Sequence, residues 1–93
     1  MNQKEIKLEN EFWTKIKLLQ ELSIPLERIQ KQDKNKEEKT RKIIRAAQIV
    51  LVNTEILEGV LEIYKKHTLL KWGIDLFIKY YISTFKKYMK DNS

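Results

Sequence analysis

Pro25 is the chain's only proline, and Gly59 and Gly73 are its only glycines. A β-sandwich or barrel needs a turn signal roughly every 8–12 residues, and those turns draw heavily on Gly and Pro. This chain has too few such positions, so the fold class that follows is all-α. Short connections between successive helices make it an antiparallel four-helix bundle, a single domain over residues 1–93. A domain of that length buries only roughly 60–65% of its unfolded surface, which leaves a thin stability margin.

Hydrophobic periodicity places the helices. Ile6, Phe12, Trp13, Ile16, Leu19 and Leu22 recur at helical spacing, with Leu8 widening the same face, which predicts a helix over about 4–22. Pro25 lacks an N–H and crowds the preceding turn, so this helix is expected to stop near Leu22 or Ser23. A short helical piece over 25–30 would then cover one core edge with Ile24, Leu26 and Ile29. Residues 31–42 read as a charged linker, and Asn35 three residues before Glu38 has the spacing of a capping box.

The stretch "RAAQIVLVNTEILEGVLEIYKK", Arg45 to Lys66, carries two adjacent rows. One is Ile43, Ala47, Val50, Thr54, Leu57, Leu61 and Tyr64. The other is Ala46, Ile49, Asn53, Ile56, Val60 and Ile63. Both rows lose apolar character at Asn53 and Thr54. An Asn can end a helix in the left-handed conformation and a Thr can cap the next, so the expectation is two helices, 36–52 and 55–67. Leu70, Ile74, Phe77, Ile78, Tyr81, Ile82, Phe85, Tyr88 and Met89 form a stripe for a last helix over 70–90. The joint before it falls at His67-Thr68 or Trp72-Gly73. A long helical hairpin or dimeric coiled coil is the rival if the joints at 53–54 and 67–73 are both helical.

The net charge of +6 is unevenly spread. Residues 1–22 and 43–68 are balanced, whereas 23–42 and 69–93 each carry +3. A basic surface suits an acidic partner, nucleic acid or an anionic membrane face, and lysine is also the default solubilising residue. Cysteine is absent, which excludes disulfides and thiolate metal sites. No window offers about 18 uninterrupted apolar residues, and the charged N-terminus does not resemble a secretory signal. The expected location is the cytoplasm, with a peripheral position at the inner face of the membrane as its extension.

Catalytic chemistry has little to stand on. His67 is the only histidine, the serines (Ser23, Ser83, Ser93) lie on no glycine-flanked elbow, and no Gly-rich phosphate loop occurs. The expectation is no enzyme activity, no catalytic or metal residues, no cofactor and no small-molecule substrate. The suggestive surface is "KYYISTFKKYMK", which interleaves aromatic and basic residues. The candidate partner-binding residues are Trp72, Lys79, Tyr80, Lys86, Lys87, Tyr88 and Lys90. Phe77, Tyr81 and Phe85 are expected to fill the core.

Two resemblances bear on function. "IKLLQELSIPLERIQK" resembles a DNA-contacting helix pair of MerR-type regulators, but only fifteen residues precede it, too few for the winged segment that should come first. The second is broader. Ile6, Glu9, Asn10 and Glu11 in "MNQKEIKLENEFW", followed after the charged linker by Ala47, Leu51, Asn53, Thr54, Glu55 and Leu57 in "AAQIVLVNTEIL", resemble bacteriocin immunity proteins. The nearest group is the lactococcin A type, with the pediocin-like immunity proteins as broader relatives. The resemblance does not extend to the last third of the chain. It implies a monomeric, cytosolic four-helix bundle that protects a producing cell from its own pore-forming peptide. It also implies a partner, the membrane components of the mannose phosphotransferase system with the peptide bound, and puts partner choice in the C-terminal half. The alternative reading is a small basic helical nucleic-acid-binding or regulatory protein.

Overall fold

The computed structural model describes residues 2–32 and 38–91. Those residues form four helices and no strand: α1 Gln3–Gln32, α2 Glu38–Leu51, α3 Thr54–Lys66 and α4 Thr68–Asp91. They pack against one another as an all-α four-helix bundle measuring 48 × 21 × 20 Å, in which α2 and α3 run the same way and are not antiparallel neighbours. At 1.5 Å per residue α1 is about 45 Å long, so it runs the full length of the molecule. Gln48 Nε2 donates to the Ser23 carbonyl at 3.2 Å, Gln20 Nε2 donates to the Leu51 carbonyl at 2.9 Å, and the Phe12 and Tyr64 rings meet at 5.4 Å. Position along α1 falls as position along α2 and α3 rises. The two short helices therefore follow each other down α1, both antiparallel to it, and α4 returns antiparallel to α3.

Three expectations about the helix ends are corrected. The first helix does not stop at Leu22 or Ser23, because α1 passes through Pro25 to Gln32. An internal proline withdraws a hydrogen bond from the carbonyl four residues earlier and typically costs about 3 kcal/mol. Here that carbonyl belongs to Glu21, and both Glu21 and Pro25 lie on the exposed side, where water can serve. Leu26, the very next residue, is wholly buried and holds the helix just past the proline. Ile24, expected in the core, is 69% exposed. A continuous α1 also removes the turn that the regulator-like helix pair requires.

The second correction concerns the linker over 31–42. Lys31 and Gln32 belong to α1, and residues 38–42 form the first turn of α2. Asn35 and its capping box lie outside the described residues.

The third concerns Asn53 and Thr54. The chain does break here, but among the described residues no non-glycine has positive φ, so Asn53 is not a left-handed helix end. It is the N-cap of α3, extended at φ −101 and ψ 99, and its Oδ1 accepts from the Ile56 N–H at 3.1 Å. Thr54 is the first helical residue and not the cap. His67 alone separates α3 from α4. Its N–H donates to the Ile63 carbonyl, and its own carbonyl accepts from the Lys71 N–H.

The core is built from Phe12, Ile16, Leu19 and Leu26 of α1, Ile44, Ala47 and Leu51 of α2, Leu57, Leu61 and Tyr64 of α3, and Ile78, Phe85 and Tyr88 of α4. The two long rows read through the middle of the sequence are only partly core. Ile44 and Leu51 replace Ile43 and Val50, because the non-helical step at Val52 and Asn53 resets the register between α2 and α3. The second row faces solvent at Ile49, Ile56 and Ile63.

Candidate functional site

Along the middle of the bundle, a polar cluster ties three helices together. Asp75 of α4 accepts from Lys15 Nζ at 2.7 Å and from the Tyr64 hydroxyl at 2.9 Å on one oxygen, and from Lys71 Nζ at 3.0 Å on the other. Lys15 Nζ also lies 3.2 Å from the Tyr64 oxygen, and Lys71 Nζ stands 4.9 Å from the centroid of the Tyr64 ring. Burial pushes the Asp75 carboxyl up, but hydrogen bonds from Lys15, Lys71 and Tyr64 outweigh it and hold the group below its ordinary value. Burial opposes the Lys15 ammonium, and its bonds to Asp75 and Tyr64 again prevail, raising it. The hydrogen bond to Asp75 raises Lys71. Burial, with Asp75 adding to it, raises Tyr64. Each of the four groups is bonded to another member of the cluster, so its chemistry is that of a clamp. The sequence offered one local signal for it, the four-residue spacing of Lys71 and Asp75.

The candidate binding face lies on the outer side of α4. Trp72 is 65% exposed and Tyr80 52%. Lys79, Lys86, Lys87 and Lys90 are exposed as well. Tyr88, named with them from the sequence, is corrected: it is 3% exposed and belongs to the core. Seen down the helix, Tyr88 follows Phe85 and Tyr81 round toward the bundle, whereas Tyr80 sits nearly opposite Ile78. Phe77 is corrected in the other direction. Expected in the core, it is 66% exposed. Tyr81 is half-buried and Phe85 fully buried, with ring centroids 6.0 Å apart.

The sequence reading missed Leu69 and Leu76 on this face, both strongly exposed. Leu69, Trp72, Leu76 and Tyr80 follow one another at steps of three, four and four, so they form one row. The available signal was that α4 is apolar on two sides, more than one core seam needs.

Beside this face, an apolar recess of about 290 Å³ opens between α2 and α4. Phe12, Ile16, Leu57 and Ile78 stand at its floor, and Val50 and Phe77 at its rim.

Among the described residues, no group of three or more His, Cys, Asp or Glu could hold a metal ion, and no helix is long and apolar enough to cross a membrane. Comparison of the chain with family models, curated proteins and solved structures finds no match.

Proposed function

We propose that this chain is a bacteriocin immunity protein. It binds, from the cytoplasmic side, the membrane components of the mannose phosphotransferase system with a pore-forming peptide attached, and it blocks the pore stoichiometrically, without turnover. The observation that carries the reading is the outer face of α4, where a core helix of the bundle presents exposed Trp72 and Tyr80 together with Lys79, Lys86 and Lys87. Trp and Tyr are among the residue types that anchor binding surfaces, and surrounding lysines set the charge a partner must complement. The motif resemblance in the first two helices supplies the class. Its residues have structural work here: Asn53 caps α3, and Glu9 faces Lys65 of α3 at 3.9 Å.

The test is survival. The chain is expressed in a bacterium sensitive to peptides that use the mannose transporter, and the cells are challenged with a panel of such peptides. The expected result is protection against one peptide or a few. Protection should be lost when Tyr80, Lys86 and Lys87 are changed together to Ala, with expression and helicity unchanged. No protection across the panel, combined with binding to duplex DNA that falls steeply with salt, would replace this reading with nucleic-acid binding.

A further inference from the structure

We propose that α4 lays its outer face on an anionic lipid surface. The inference stands on that face alone and does not require the immunity reading. Leu69, Trp72, Leu76 and Tyr80 run as one exposed row, with Phe77 beside it. The row spans eleven residue steps, about 16 Å of helix. Continued at the same spacing, it reaches Ser83 and then Lys87, with Lys79 and Lys86 along one flank. An exposed apolar row of this size on a helix whose opposite side already fills the core calls for a partner.

Charge selects among the partners. Asp75 is the one carboxylate on the described face residues of α4, and Lys15 and Lys71 occupy it. The exposed charge of the face is therefore cationic. A second copy of the chain docked face to face would offer these lysines no free carboxylate from the same described face to pair with. Shape narrows the choice further. The row is convex, and the apolar recess of the molecule lies to its side, between α2 and α4. A convex helix face offers no pocket for an anchoring side chain, but it matches a plane. Leucine tips enter the acyl boundary, Trp and Tyr rings settle at headgroup depth, and lysine stems reach past them to lipid phosphates. Lipid contact along this row leaves the recess free at the side of the same helix.

The experiment uses the full chain with Trp13→Phe, so that Trp72 is the sole indole, titrated with phosphatidylcholine vesicles with and without phosphatidylglycerol. The expected result is a blue shift of Trp72 emission on the anionic vesicles. Three lysines near the surface make binding to them on the order of a hundredfold tighter at low salt, and the advantage shrinks as salt is added. Leu76→Glu should abolish the shift while leaving the circular dichroism and melting temperature unchanged, because Leu76 is 68% exposed. Co-sedimentation of the unsubstituted chain with the same vesicles reads the answer independently of the Trp13 change. No shift and no co-sedimentation overturns the proposal, as does equal binding to both vesicle types. A dimer in solution that Leu76→Glu splits would assign the row to a second copy and overturn it as well. Vesicles hold no transporter and no peptide, so failure here leaves the survival test untouched, and failure there leaves this one untouched.

Discussion

Lys15 and Asp75, sixty positions apart in sequence, meet at 2.7 Å and join α1 to α4 across the Tyr64 ring. Their side chains are 36% and 28% exposed, so water screens the pair, and the Coulomb attraction alone is worth little. What gives the contact weight is the sharing of one carboxylate by three donors from three helices. Asp75→Asn removes the charge that all three serve and leaves two ammonium groups beside one phenol. The expected loss is about 1–2 kcal/mol, in line with other partly buried hydrogen-bond networks. For a domain of this size that lowers the melting temperature by roughly 4–15 °C. The pH dependence has two arms. Asp75 is depressed in the fold, so its contribution is present above the unfolded value near 3.8 and is lost as pH falls through the lower folded value. Lys15, Lys71 and Tyr64 are raised, so their contributions are full below the unfolded values of 10.5, 10.5 and 10.0 and are lost as pH rises through the folded ones. Urea denaturation across pH should show a plateau between those arms. Asp75→Asn should shrink the acid arm without removing it, because Glu62, lowered by its hydrogen bonds to Lys65 and Lys66, adds to that arm. An acid arm unchanged by the substitution would show that the cluster does not couple to folding.

Asn53 supports a different joint. Its side chain satisfies the Ile56 N–H at the start of α3, one of the donors that a helix start leaves without an intrahelical partner. Asn53→Ala should cost about 1 kcal/mol, within the usual range for a lost cap. Asn53→Asp or Asn53→Ser should retain most of the stability, because either side chain can accept the same bond. Thr54→Ala should be close to neutral, since Thr54 is exposed and helical. Thermal melts of the four variants check this order. A Thr54→Ala loss equal to that of Asn53→Ala would move the cap to Thr54.

Much of the bundle was legible in the sequence because helical periodicity records which side chains are apolar. Phe12, Ile16 and Leu19, and likewise Leu57, Leu61 and Tyr64, lie in the core where that pattern puts them. It does not record which apolar side chains receive neighbours. Periodicity alone therefore puts Phe77 inside, where the structure exposes it, and gives no sign that Leu69 and Leu76 lie on the surface. The Pro25 stop is a local rule overridden by tertiary packing of Leu26. The register error at Ile44 and Leu51 came from carrying one row across a two-residue break. The Lys15–Tyr64–Asp75 cluster was out of reach, since its members are brought together by the fold from positions 49 and 60 residues apart.

Gly59 and Gly73 lie inside α3 and α4, with negative φ and nothing within 4 Å of the position an added Cβ would take. Each therefore carries the entropic disadvantage of glycine in a helix with no steric reason for it. Gly59→Ala and Gly73→Ala should each stabilise by about 0.5–1 kcal/mol, raising the melting temperature by a few degrees apiece. The double variant should show close to the sum, because the two sites share no contact. A loss of stability at either position would mean that a neighbouring side chain fills the apparent space.

The two tyrosines at either end of the basic segment separate folding from binding. Tyr88 is buried in the core, and Tyr88→Ala should destabilise by about 3 kcal/mol or more, as truncations of buried aromatic residues do. Any loss of protection it causes would then follow from loss of the bundle. Tyr80 is half exposed and touches the molecule mainly through an edge-on contact with Tyr81 at 5.6 Å. Tyr80→Ala, alone or with Lys86→Ala and Lys87→Ala, should therefore change stability by no more than about 0.5 kcal/mol. If the outer face of α4 is where the partner binds, the Tyr80 variants should lose protection or lipid binding at unchanged melting temperature, while Tyr88→Phe, which preserves the core volume, should keep both functions. The opposite pattern, with Tyr80 variants fully active and Tyr88→Phe inactive at normal stability, would remove the outer face of α4 as the binding surface and turn attention to the recess between α2 and α4.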